Sequence, residues 1–278
     1  MDVIDGLPQG KALDILESAP ILNFNSRIIG TNSYQETADS DVVIITSGSP
    51  RKPGMTRDEL LQINMNIVTE VTRDIVKHSP NCIIIMVTNP VEAMTYSALH
   101  TSHFPRNRVL GLSGVLDGAR LESFIAAELK VSVEGVSTCV LGQHGENMVI
   151  IPRLSTVNGT PITKLMSQET IGKLIQRTIG GGAEIVKLLK TGSAFYAPSA
   201  AVAHVVDAII LDRKETLPCA AYLDGEYGIE DTVLTVPVKL GRNGIGEIIE
   251  LELTDEEKAQ LASSAEAVRE LVEIMKLG

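Results

Sequence analysis

Four short stretches of this sequence carry side chains that could do chemistry. "GQHGE" (142–146) sets His144 between two glycines just after an apolar run. Histidine suits general acid/base work because its ordinary pKa, about 6.5, lets it change charge near neutral pH. Taken alone, a single histidine is more often structural. "LDGAR" (116–120) puts Asp117 and Arg120 three apart, which on a helix places them on one face. A plain surface ion pair would use the same spacing. "SGSPRKPGMTRDEL" (47–60) follows a β-branched run and holds Arg51, Lys52 and Arg57. Planar guanidinium groups there suit a carboxylate or phosphate, and a solvated basic loop is the blander alternative. "VTNPV" (87–91) ends a second apolar run, where Asn89 either presents its amide to a ligand or only forms the turn before Pro90.

The elements around these residues alternate in period. "DVVIITSG" (41–48) and "CIIIMVTNP" (82–90) read as strands buried on both faces, hence parallel. Helices are predicted over 56–79, 91–104 and 116–130, with a short strand at "RVLG" (108–111). That alternation predicts an α/β fold with a doubly wound parallel sheet, whose ligands bind beyond the carboxyl ends of the strands. From 141–150 onward the pattern changes. "LSTVNGTPI" (154–162) carries the Asn158-Gly159 signal of a hairpin. Helices are predicted over 168–190 and 196–211, then an antiparallel group from "TLPCAAYL", "DTVLTVPVKL" and "IGEIIEL". A last amphipathic helix (254–277) opens with a capping box, Thr254 to Glu257. The expected division is an α/β domain over 1–143 and an α+β domain over 144–278, with His144 at the boundary.

Composition narrows the function classes. A net charge of −11 argues against a nucleic-acid partner, which would need a basic face. Cys82, Cys139 and Cys219 read as reduced core residues, which with the absence of a leader pattern points to the cytoplasm. No apolar run approaches the about 20 residues of a membrane helix. His100 and His103 are spaced like ligands but lack a third, so no metal site is expected. "IGGGAEI" (179–185) lacks the Gly-Lys-Ser/Thr ending of a phosphate loop and reads as a loosened helix; "GRNGIGEI" (241–248) reads as a turn.

Taken in order, "PRKPGMTR", "VTNP", "LDGAR" and "GQHGE" strongly resemble the lactate/malate dehydrogenase family, nearest its bacterial lactate-dehydrogenase-like malate branch. The resemblance covers essentially the whole chain and continues through "LLKTGSAFYAPSAA" (188–201). It implies an NAD-binding Rossmann domain followed by a substrate domain, and reversible hydride transfer between NAD and malate/oxaloacetate. It also implies roles for single residues. His144 becomes the proton donor, Asp117 the acid that holds it, and Arg120 the two-pronged grip on the substrate's C1 carboxylate. Arg57 would polarise the reacting carbonyl and Asn89 would bond its oxygen. Arg51 would face the second carboxylate of the dicarboxylate, where lactate enzymes carry Gln. Thr46, Asn64 and the Val87–Asn89 strand end would lie along the cofactor, and Asp2 would bind the adenosine ribose. The family also implies a homo-oligomer, dimer or tetramer. Lactate dehydrogenase is the alternative substrate reading, and a catalytically silent remnant acting as an assembly partner is the alternative class.

One family feature is not found. No G-x-G-x-x-G turn precedes Asp2, so the sequence reads as lacking about 30 residues that hold the first strand and its glycine-rich turn. The sheet is expected to be incomplete at its N-terminus, with strands beside the gap left unpaired. These 278 residues alone are expected to bind NADH poorly.

Overall fold

The computed structural model of the chain describes residues 1–50 and 54–276. The elements in chain order are α1 (Leu7–Glu17), α2 (Ala19–Leu22), β1 (Val42–Ile45), α3 (Arg57–His78), β2 (Ile83–Met86), α4 (Val91–Ser102), β3 (Val109–Gly111) and α5 (Gly114–Leu129). Then follow β4 (Val136–Ser137), β5 (Val140–Gly142), β6 (Met148–Ile150), β7 (Thr156–Val157), β8 (Thr160–Pro161), α6 (Gln168–Ile179), α7 (Gly181–Leu189) and α8 (Tyr196–Ile210). The chain closes with β9 (Glu215–Asp224), β10 (Glu230–Gly241), β11 (Gly244–Ile248) and α9 (Asp255–Met275).

β2 shows why a run of β-branched residues becomes a central strand. Its side chains alternate between two faces, and both are covered. Ile83 and Ile85 pack with Val205 of α8 and Leu261 and Val268 of α9. Ile84 and Met86 pack with Leu61 and Val68 of α3 and Met94 of α4. Each such side chain contributes about 1.5–3 kcal/mol relative to exposure.

The sheet runs β1-β2-β3-β9-β10-β5-β6, with β11 added to β10. β1, β2 and β3 are parallel. β9 joins β3 antiparallel through Gly111 and Ala220, and β10 and β5 continue antiparallel. The expected antiparallel group therefore extends the parallel sheet instead of standing apart from it. β4, β7 and β8 make a small second sheet, whose hairpin turns through Asn158 (φ 46°) and Gly159 (φ 78°), the primed turn the sequence predicts. Capping boxes open α3 at Thr56/Glu59 and α9 at Thr254/Glu257.

Two expectations need correction. The 168–190 helix is two helices, parted at Gly180, because a run of three glycines is too weak a helix former to carry the helix through. β1 is not buried on both faces, since Ile44 is 42% exposed. The reason is topological: among the described residues β1 pairs only with β2 and forms one edge of the sheet. Near that edge, residues 24–31 join no sheet, and the Asp2 N–H donates to the Thr31 carbonyl at 3.1 Å. Among the described residues no helix is long and apolar enough to cross a membrane.

Candidate active site

Two elements converge on one buried carboxylate. α5 starts after Ser113 and carries Asp117 and Arg120 on the face its spacing dictates. From the other side, β5 ends at Gly142, whose φ of 82° is one that L side chains rarely adopt. The chain then turns through Gln143 and His144. Ser264 of α9 fixes this turn: its hydroxyl accepts from the Gln143 N–H at 2.7 Å and donates to the Asn147 carbonyl at 2.8 Å.

The result is a charged triad. Nδ1 of His144 lies 2.7 Å from Oδ2 of Asp117, and Nη1 of Arg120 donates to Oδ1 at 3.0 Å. Asp117 is fully buried, while the His144 side chain keeps 21% exposure. A carboxylate only accepts, so Nδ1 carries a hydrogen and Nε2 is the nitrogen left to face a substrate. Burial pulls the imidazole pKa down. The field and hydrogen bond of Asp117, helped by Glu92, outweigh burial and hold it above its ordinary value.

Arg120 has more donors than Asp117 uses. Its Nε is buried and meets no acceptor among the described residues. With Nη1 on Asp117, Nε and Nη2 remain as a side-on pair, the geometry that grips a carboxylate with two parallel bonds. Gly181, which the sequence reading treated only as part of a loosened helix, leaves the room. A Cβ there would stand 3.1 Å from Arg120 Cδ and 3.4 Å from its Nε.

The remaining expected residues divide by position. Arg57 opens α3, and its Nη2 lies 3.4 Å from Oε1 of Glu146, two residues past His144; both side chains are exposed. The arginine is thus at the mouth of the site, turned to Glu146. Asn89 and Thr46 are exposed and Val87 is half-buried, at the carboxyl ends of β2 and β1. Asn64 is buried and spends both ends of its amide inside the protein. It accepts from the Ser49 N–H at 2.7 Å and donates to the Asn89 carbonyl at 2.9 Å, so it staples the loops after the two strands. Asp2 is half-buried and accepts from the Ile4 N–H. Arg51 lies outside the described residues. His100 stacks on Tyr96 and is not part of the site. The three cysteines are free thiols.

One residue went unremarked in the sequence. Glu92 is fully buried behind His144, accepts from the His144 main-chain N–H at 2.8 Å, and takes the Ser113 hydroxyl at 3.3 Å. The sequence shows only that Glu92 is the one charge in the run 91–98, which the structure buries all round.

The strand-end ledge fits the nicotinamide end of a dinucleotide. Thr88 bonds the Ser47 carbonyl at 2.8 Å, and with Asn64 this locks the two loops while Thr46 and Asn89 stay exposed toward the side where open α/β sheets hold ligands. No G-x-G-x-x-G turn occurs among the described residues.

Comparison with known proteins agrees with this layout. The lactate/malate dehydrogenase NAD-binding domain matches residues 1–111, and the lactate/malate dehydrogenase alpha/beta C-terminal domain matches residues 114–277. A malate dehydrogenase of Thermomicrobium roseum is 55% identical over 276 residues, 99% of this chain and 89% of that protein. The structure of malate dehydrogenase from Salinibacter ruber superposes with a TM-score of 0.94 at 50% identity, covering 99% of this chain and 88% of that one. The Plasmodium falciparum malate dehydrogenase in complex with NADH gives 0.91 at 33% identity, covering 99% and 90%. With the two domain models together matching nearly all of the chain and the histidine, aspartate and arginine brought together as described, the chain belongs to the lactate/malate dehydrogenase family.

Proposed function

We propose that the chain catalyses NAD-dependent, reversible interconversion of malate and oxaloacetate. One observation carries the reading: Asp117 holds an imidazole on one oxygen and an arginine on the other, and the arginine keeps a buried Nε with no acceptor among the described residues. A 2-oxo acid has the matching shape, with a carboxylate for Arg120 next to a carbonyl for His144.

The chain's own residues then perform three tasks. Arg120 grips the C1 carboxylate through Nε and Nη2 and so fixes the carbonyl's orientation. NAD, when bound, supplies or takes the hydride at the carbonyl carbon. As negative charge develops on the carbonyl oxygen, His144 donates its proton from Nε2, and Asp117 stabilises the charged imidazole beforehand. In the reverse direction, neutral His144 takes the hydroxyl proton. Asn89 holds the substrate oxygen, and Arg57 leaves Glu146 to polarise the carbonyl. Thr46, Val87 and Asn89 border the nicotinamide, Asn64 keeps their loops in place, and Asp2 answers the adenosine ribose.

Arg51 sets the choice of dicarboxylate. Oxaloacetate brings it a second carboxylate, whereas pyruvate would leave the arginine desolvated without a partner. Sites built for a polar group reject analogues lacking it by about 10⁴–10⁵. The test is kcat/KM for oxaloacetate and pyruvate in wild type and Arg51→Gln. Oxaloacetate is expected to lead by orders of magnitude, and the variant to shrink that lead by lowering the oxaloacetate value. A wild-type preference for pyruvate would replace the malate reading with the lactate one.

The working form is a homo-oligomer, dimer or tetramer, in the cytoplasm. Large apolar side chains exposed along 186–211, among them Leu188, Phe195, Tyr196 and Leu211, support the assembly, and free thiols support the compartment. Sedimentation equilibrium reads the oligomeric state directly.

A further inference from the structure

Glu92 stands out because nothing in the proton-donor scheme uses it, yet it is a fully buried acid touching the His144 main chain. Its position ties together three parts of the site. It lies in the first turn of α4, directly after the Asn89-Pro90 strand end. Its Oε1 accepts from the Ser113 hydroxyl, at the residue from which α5 and hence Asp117 and Arg120 begin. The same oxygen accepts from the His144 N–H.

The hydrogen-bond directions bear on its charge. Thr235 donates to Ser113 at 2.6 Å, Ser113 donates to Glu92 Oε1, and the His144 N–H donates to that oxygen as well. A proton on Oε1 would require the Ser113 hydroxyl to turn and accept, with the His144 N–H, which only donates, still facing that oxygen. Oε2 has no hydrogen-bond partner among the described residues. The cluster is a donor chain ending on Oε1 of Glu92.

Charge counting agrees. Arg120 ion-pairs with Asp117, and no arginine or lysine ion-pairs with Glu92 among the described residues. The charged groups facing His144 are Asp117 and Arg120 from α5 and Glu92 from α4; those facing Glu92 are His144 and Asp117. The neighbours from α9 and β10, Ser264 and Thr235, do not titrate. With His144 charged, two buried acids meet two cations. With His144 neutral, one buried negative charge has no counterpart, which is costly at low dielectric.

We infer that Glu92 is a positioning residue for the acid/base histidine: its buried carboxylate holds the His144 main chain against the start of α5 and supplies the second negative charge that favours the imidazolium. The inference rests on His144 being the proton donor. Burial holds the Glu92 carboxyl above its ordinary range, Asp117 adding to it, while the His144 charge and N–H pull it partly back, so the two groups titrate as a coupled pair.

The test is an NMR titration of the His144 ring in the full chain, with neither NAD nor substrate added, in wild type, Glu92→Gln and Glu92→Asp. Gln keeps an acceptor for the His144 N–H but removes the charge, so the His144 midpoint is expected to fall. Asp keeps the charge, so the midpoint is expected to return toward wild type. A folded Glu92→Gln protein with an unmoved midpoint overturns the inference. If Glu92→Gln does not fold, the carboxyl ¹³C resonance of Glu92 in wild type decides. A carboxylate shift at neutral pH supports the inference, and a neutral-acid shift overturns it. Failure of the proton-donor reading would be visible elsewhere, as a His144→Asn protein that still turns over, and would leave the titration result standing on its own.

Discussion

The carboxylate of Asp117 meets the imidazole of His144 at 2.7 Å, although the two residues lie 27 positions apart and approach from different elements. α5 brings the acid fully buried, and the Ser264-clamped turn brings the base half-exposed. The pair has one solvent-side nitrogen, Nε2, and a reason to hold a proton there.

That pairing links stability to pH. The folded His144 pKa lies above its ordinary value, burial opposing and Asp117 prevailing. The group therefore contributes stability that is complete below the unfolded value and is lost as pH rises through the folded one. Asp117→Asn removes this contribution. The stability gap between wild type and Asp117→Asn should narrow on going from about pH 5.5 to about pH 9, bracketing the unfolded His value. Urea unfolding at the two pH values measures it, and a gap that widens would contradict the charge pairing.

Gly181→Ala tests the space beside Arg120. The added methyl would stand 3.1 Å from Cδ and 3.4 Å from Nε, so the guanidinium must shift by a few tenths of an ångström. Two-pronged contacts tolerate little misplacement, and a displacement of about 1 Å can cost about 10²-fold. The expected result is a weaker KM for oxaloacetate, by about tenfold on that scale, with the unfolding midpoint nearly unchanged. Equal KM values would mean that Arg120 does not hold the substrate from that edge.

Ser264→Ala tests the turn. It leaves the buried Gln143 N–H without its 2.7 Å partner and frees the Asn147 carbonyl. Leaving such a group unsatisfied costs about 1–3 kcal/mol. Denaturant unfolding should show that loss, together with a lower kcat, because His144 is the next residue in the turn.

Much of this was legible in the chain. The Thr254/Glu257 box marked the start of α9, and the run Ile83–Met86 declared a strand covered on both faces, because these signals are local. The i, i+3 spacing of Asp117 and Arg120 was local too, and only the resemblance supplied His144 as their third member. What escaped depends on distant partners. Glu92 reads as an ordinary first-turn acid until His144, 52 residues away, is folded against it. Asn64 reads as a residue beside the cofactor, and only the fold shows that Ser49 and Asn89 also bond its amide and tie two loops together. Ile44 has the sequence of a buried strand, and only the expected gap before Asp2, not the run around Ile44, pointed to an edge.

The central claim is that His144 is the proton donor, and one pH profile tests it most directly. Oxaloacetate reduction by NADH requires the imidazolium, so kcat/KM should be level at low pH and fall as pH rises through the His144 pKa. His144→Asn should lower the rate by about 10²–10⁴-fold, the usual worth of general acid catalysis, and abolish that descending limb. A variant that keeps the limb at the same pH, or keeps most of the rate, would contradict the account.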